Sequence, residues 1–184
     1  MAPDLLERAS RLRLLLMDVD GVLTDGRLYN VPDASGRMVE TKAFDSQDGI
    51  ALQWLHRVGI QAGLISGRDS PATEERARQC HFAYIRQGHT EKLTVYEEIL
   101  ADCGLADAQV GFIGDDLTDA ILMRRVGFAV ATANARPEVK RIAHYVTVAE
   151  GGRGAVREAC EIVLRAQGHW EGILRHYEVT SVSE

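Results

Sequence analysis

Apolar positions along this chain alternate between two patterns: short unbroken runs, and stretches where they recur every three or four residues. The first run, Leu14 to Met17, is bounded by polar residues and reads as a strand buried on both faces, extending back to about Leu12. Ile60–Ile65, Phe82–Ile85, Gln109–Ile113, Phe128–Ala131 and Tyr145–Val148 repeat the pattern. Helical periodicity fills the gaps between them. Ser46 or Asp48 can cap a helix with Ile50, Ala51, Trp54, Leu55 and Val58 on its apolar side, and Gly59 closes it. Ser70–Gln79 carries Pro71 in its first turn. Thr90 can cap a helix presenting Leu93, Tyr96, Leu100 and Cys103, and Gly104 ends it. Shorter helices run to about Arg125 and from Arg136-Pro137, and a longer one covers Ala155 to Gln167.

Strands that alternate with helices predict an α/β fold, a doubly wound parallel sheet with right-handed crossovers. One stretch breaks the rhythm. Two β-leaning runs around Pro32-Asp33-Ala34-Ser35-Gly36 make a hairpin over about residues 27–44, inserted after the first strand. Residues 1–11 read as a short polar helix or a loose end. The tail, about residues 168–184, holds Trp170, Leu174 and Tyr177 and then turns polar. No repeat or linker divides the 184 residues, so one domain is expected.

Composition narrows the class. Charged residues are 26% and apolar ones 46%, as in an ordinary globular protein. The net charge of −6, without a Lys/Arg stripe, speaks against a nucleic-acid surface. No apolar run reaches membrane-spanning length. Cys80, Cys103 and Cys160 are odd in number and far apart. Cys103 and Cys160 fall on apolar helix faces, so buried free thiols and a cytoplasmic setting are expected. The six histidines do not cluster at metal-ligand spacing.

The candidate chemistry lies where the strands end. In an open parallel sheet, ligands bind at the C-terminal ends of the strands. There the chain places Asp18 and Asp20, Ser66, and Asp115, Asp116 and Asp119, with Lys92 at the start of a crossover helix. Gathered carboxylates repel unless a cation sits among them, and Mg²⁺ prefers such oxygen ligands. Carboxylates, one hydroxyl and one lysine suit phosphoryl transfer, because metal and lysine stabilise the charge of the phosphoryl group. One carboxylate can serve as nucleophile and another as general acid and base. Gly151 to Gly154 can cradle an anion at a helix N-terminus or simply form a tight loop.

Asp18-Val-Asp20-Gly-Val-Leu-Thr24-Asp25-Gly26, Ser66-Gly67-Arg68, Lys92 and Gly114-Asp115-Asp116-Leu-Thr-Asp119 together resemble the four motifs of the haloacid dehalogenase superfamily. The Leu-Thr-Asp-Gly continuation, the lack of a large cap insertion and Gly151-Gly-Arg-Gly-Ala-Val-Arg-Glu158 narrow the resemblance to its phosphatases of eight-carbon keto-sugar acid phosphates. The resemblance spans about Arg13 to Gln167. It implies a haloacid dehalogenase-like (Rossmann-like) fold and a Mg²⁺-dependent phosphomonoesterase of lipopolysaccharide precursor synthesis, assembled as a homotetramer. It implies Asp18 as nucleophile and Asp20 as general acid/base. Asp18 and Asp115 would ligate Mg²⁺ by side chain, Asp20 by its carbonyl and Asp119 through water. Ser66 and Lys92 would bind phosphoryl oxygens, and Arg68 the sugar acid or the phosphate. The alternatives are a phosphatase of nine-carbon keto-sugar acid phosphates and, from another class, a phosphoacceptor signalling domain. Against the latter, the acids are spaced Asp-x-Asp, and the strand ending at Ile65 leads into Ser66.

Overall fold

The computed structural model describes residues 3–179. Its centre is β1 (Leu14–Met17), a strand with all four residues buried. Successive side chains of a strand point to opposite faces. Leu15 and Met17 therefore enter one core and Leu14 and Leu16 the other. A strand sandwiched this way can be apolar at every position.

The hairpin follows as β2 (Tyr29–Pro32) and β3 (Met38–Thr41), antiparallel, with Val31 opposite Val39. Its strands are shorter than the expected runs. Among the described residues they pair only with each other, and they are largely exposed. After them come α2 (Ser46–Arg57), β4 (Gln61–Ile65), α3 (Pro71–Gln79) and β5 (Tyr84–Arg86). The chain then crosses back through α4 (Lys92–Cys103) to β6 (Val110–Gly114), α5 (Ala120–Met123), β7 (Phe128–Ala131), α6 (Pro137–Lys140) and β8 (Tyr145–Val146). The six-stranded sheet has the order β5-β4-β1-β6-β7-β8, with every neighbouring pair parallel. The order reverses beside β1, so the crevice at the C-terminal end of β1 is the topological switch point where open α/β sheets bind ligands.

On one face, α1 (Pro3–Ser10), α2, α3 and α7 (Ala155–Ala166) cover Leu15, Met17 and Leu64. On the other, α4, α5 and α6 cover Leu14, Leu16 and Phe112. The last helix, α8 (Trp170–His176), packs on α7.

Several expectations change. Of the two readings of the N-terminal segment the helix holds, and it is docked, with Leu5 and Ala9 buried. The cap of α2 is Asp45, whose carboxylate accepts the amides of Gln47 and Asp48, not Ser46 or Asp48. Asp48 turns inward instead, and Ile50 lies exposed. Thr90 does not cap α4, which starts from Glu91 without a side-chain cap. The last strand stops at Val146, leaving Val148 exposed. Cys160 is buried as expected, but Cys103 is only half-buried and it is Cys80 that is enclosed. The polar end of the tail, residues 180–184, lies outside the described residues.

Candidate active site

Asp18 directly follows β1, and its amide still donates to the Ile113 carbonyl, 3.0 Å away, extending the ladder with β6 by one residue. Its carboxylate meets Lys92 Nζ at 2.9 Å. Lys92 opens α4, yet its side chain is only 2% exposed. A buried ammonium requires partners. Lys92 has a second one in Asp119 Oδ1 at 2.6 Å. The other oxygen of Asp119 accepts the amides of Asp115 and Asp116, at 2.9 and 3.2 Å. Asp119 thus ties the loop after β6 to the lysine, and both of its oxygens are engaged.

Asp115 is the opposite case. Its Oδ1 is buried, and among the described residues no hydrogen-bond donor reaches it. Burial first, and then the facing charges of Asp119 and Asp18, push its carboxyl up to about 8. Burial likewise pushes Asp18 up to about 6, with Lys92 opposing. A buried carboxylate oxygen with no donor, set among other carboxylates, is suited to a cation as its partner. Asp18, Asp115 and Asp119 offer oxygens that all lie within 4.8 Å of one another. The donors are hard oxygens, without His or Cys, so the site fits Mg²⁺.

The backbone here is closely packed. Gly21 adopts φ +95°, and a Cβ on it would lie 2.1 Å from Asp115 Oδ2. A Cβ on Gly151 would lie 1.9 Å from the Gly21 carbonyl oxygen. The glycines at 151 and 152 therefore let the loop before α7 lie against the turn after Asp20. Asn134 bridges the same two segments, donating to the Gly21 carbonyl at 2.9 Å and accepting the Gly151 amide at 2.6 Å.

Ser66, at the end of β4, is buried; its Oγ accepts the Arg68 amide at 3.2 Å. Asp18, Asp20, Ser66, Arg68, Lys92 and Asp115 line one cleft of about 200 Å³. Asp116 caps the 3-10 turn Leu117–Asp119 through the Leu117 amide and also lines the cleft. Arg68 is half-exposed, and its guanidinium is paired with Glu40 of the hairpin. A larger cavity, about 480 Å³, lies between α2 and α8 around Trp54 and Tyr177, and none of these groups lines it.

The sequence reading missed Lys42 and Glu40. Both reach the site from the hairpin: Lys42 pairs with Asp20, and Glu40 with Lys42 and Arg68. Alternation along Met38, Glu40 and Lys42 puts the two charges on one face of the strand, a signal the exposed hairpin made easy to overlook. It also missed Thr90 and Thr118, which line the cleft.

A family model described as haloacid dehalogenase-like hydrolase matches residues 78–157. The 3-deoxy-D-manno-octulosonate 8-phosphate phosphatase KdsC of Yersinia pestis is 42% identical over 172 residues, covering 94% of this chain and 90% of its own. The KdsC of Escherichia coli K12 is 38% identical, covering 91% and 87%. Among solved structures, the 3-deoxy-D-manno-octulosonate 8-phosphate phosphatase of Moraxella catarrhalis, in complex with magnesium ion, phosphate ion and a KDO molecule, superposes with a TM-score of 0.90. It is 34% identical, and the match covers 96% of this chain and 99% of that one.

Proposed function

This chain belongs to the haloacid dehalogenase-like hydrolases, and from that premise we propose that it hydrolyses 3-deoxy-D-manno-octulosonate 8-phosphate to the free keto-sugar acid and inorganic phosphate. The observation that carries the reading is the buried Lys92, held between Asp18 and Asp119 beside the unpartnered Asp115 oxygen.

Asp18 attacks phosphorus, and the bond from phosphorus to the sugar oxygen breaks. Asp20 gives its proton to that leaving oxygen. The product left on the enzyme is an aspartyl-phosphate at Asp18. Asp20, now a carboxylate, takes a proton from water as the water attacks phosphorus and frees Asp18. Lys92 and Ser66 hold phosphoryl oxygens in line for both steps. Arg68, which lines the cleft beside Asp20, meets the sugar carboxylate or the phosphate. Asp18 and Asp115, the Asp20 carbonyl and, through water, Asp119 would hold Mg²⁺. When bound, the ion neutralises the carboxylates and the phosphoryl charge.

The proposal includes one catalytic domain spanning the chain, assembled as a homotetramer and working in the cytoplasm on a lipopolysaccharide precursor. Free thiols at Cys80, Cys103 and Cys160 support a reducing compartment. Among the described residues no helix is long and apolar enough to cross a membrane.

The test is phosphate release from a panel of sugar phosphates, with and without Mg²⁺. Highest kcat/KM is expected on the eight-carbon keto-acid phosphate, with activity abolished by a chelator and restored better by Mg²⁺ than by Ca²⁺. Higher kcat/KM on nine-carbon or hexose phosphates would overturn the substrate assignment and leave the reaction class.

A further inference from the structure

Lys42 follows β3 directly, and its side chain is only 3% exposed. Its ammonium lies against Asp20 Oδ1 and 3.3 Å from Glu40 Oε1. The other Glu40 oxygen pairs with Arg68. Arg68 Nε stands 3.8 Å from Asp20 Oδ2. The four side chains close a ring in which cations and carboxylates alternate, built from the hairpin, the turn after β1 and the loop after β4. Burying an ammonium removes its hydration and freezes a long stem. Partners offset that, and among the described residues the charged partners of Lys42 are these two carboxylates.

We propose that Lys42 is a positioning residue for Asp20. A carboxyl group on a turn is free to rotate about its last torsion. Lys42 holds Oδ1, so Oδ2, on the side of Arg68 and the cleft, is the oxygen that handles the proton. When the bond from phosphorus to the sugar oxygen breaks, its electron pair stays on that oxygen, and Asp20 supplies the proton. The attacking water later returns a proton to Asp20. Lys42 neither gives nor takes one. The hairpin therefore sets the aim of the acid/base group as well as standing beside the cleft.

The inference rests on the reading of Asp20 as acid and base, so the experiment tests the two separately. Single-turnover phosphoryl transfer is measured from 3-deoxy-D-manno-octulosonate 8-phosphate and from p-nitrophenyl phosphate. Nitrophenolate leaves without much help from an acid, whereas a sugar alkoxide needs it. Lys42→Met is expected to slow transfer from the sugar phosphate about tenfold or more, since misplaced groups lose rate steeply. The aryl phosphate should change by less than about threefold. Lys42→Arg, which keeps the cation, should recover part of the loss. In an Asp20→Asn background, Lys42→Met should cost nothing further, because two residues acting as a unit are not additive. Lys42→Gln, with a polar end for the buried position, is the second variant, and the same split is expected of it. Equal losses on both substrates, or additive losses with Asp20→Asn, would make Lys42 merely structural and overturn the proposal. If Asp20→Asn itself does not discriminate between the substrates, the acid/base reading falls and takes the proposal with it. If Asp20→Asn discriminates and Lys42→Met does not, the proposal alone falls.

Discussion

At the scale of single residues, the site spends stability on charge. Asp115 is buried, crowded by Asp18 and Asp119, and among the described residues has no donor on Oδ1. At neutral pH this carboxyl must either stay charged against its neighbours or bind a proton it would not hold in water, and Asp115→Asn removes that cost. The substitution should stabilise the metal-free protein at neutral pH by on the order of 1–3 kcal/mol, while abolishing the further stabilisation that Mg²⁺ gives the natural protein. Thermal unfolding with and without Mg²⁺ checks both signs at once; a variant that is less stable without metal would show that the carboxylate has a structural partner. Asp18→Asn should leave the fold in place, because Lys92 retains Asp119. An amide is a poor nucleophile, so turnover should fall at least about a thousandfold. Phosphate release by that variant near the natural rate would exclude Asp18 as nucleophile. Asp18, Ser66, Lys92, Asp115 and Asp119 could be picked out in the sequence because each stands in a short motif at a strand or helix end. Lys42 carried only the weak signal of its alternation with Glu40, because it has no motif around it, and its partner Asp20 lies 22 residues away in the chain.

At the scale of elements, strands and glycine-terminated helices were legible because burial on both faces forces continuous apolar runs. Helix starts were less so. Ser46, Asp48 and Thr90 have side chains suited to capping, yet Asp45 and Glu91 hold the cap positions. Asp48 shows what overrode local preference. Its carboxylate crosses to α7 and accepts the Arg157 amide at 2.7 Å, serving a helix whose own N-cap, Gly154, has no side chain. Its other oxygen is buried and has no donor among the described residues. Burial pushes this carboxyl up from 3.8 to about 6, with the Arg157 amide opposing. The folded state therefore holds the proton more tightly than the unfolded chain. That contribution to stability is fully present below about pH 4 and is lost as pH rises through 6. Relative to Asp48→Asn, which keeps the acceptor and does not titrate, the natural protein should lose up to about 3 kcal/mol between these limits. Urea unfolding of both proteins at several pH values measures the difference; a gap that is constant with pH would mean that the carboxylate is as well solvated in the fold as in the open chain.

At the scale of the whole molecule, the hairpin stands apart from the two cores. The hairpin presents Leu28, Tyr29, Val31, Met38 and Val39 to solvent, each at least 39% exposed. Among the described residues, no strand pairs with either edge of the two-stranded sheet. An isolated hairpin is marginal in water, and an open apolar edge invites pairing. Yet the base of this hairpin carries Glu40 and Lys42, which meet Arg68 and Asp20 at the cleft. Wandering strands would let that ring loosen. Copies that pair their hairpins would bury the apolar side chains, satisfy the edges and steady the ring in every subunit, and closed symmetry is the usual form of such an assembly. The homotetramer proposed above therefore predicts that oligomeric state and catalysis move together. Val39→Glu puts a charge opposite Val31 in the middle of the hairpin, without touching the cleft. It should shift the protein toward monomer in light scattering coupled to gel filtration. It should lower kcat on the sugar phosphate by more than it changes KM, because the loss falls on the aim of Asp20. A natural protein that is monomeric at assay concentration and fully active would show that the hairpin holds its shape alone.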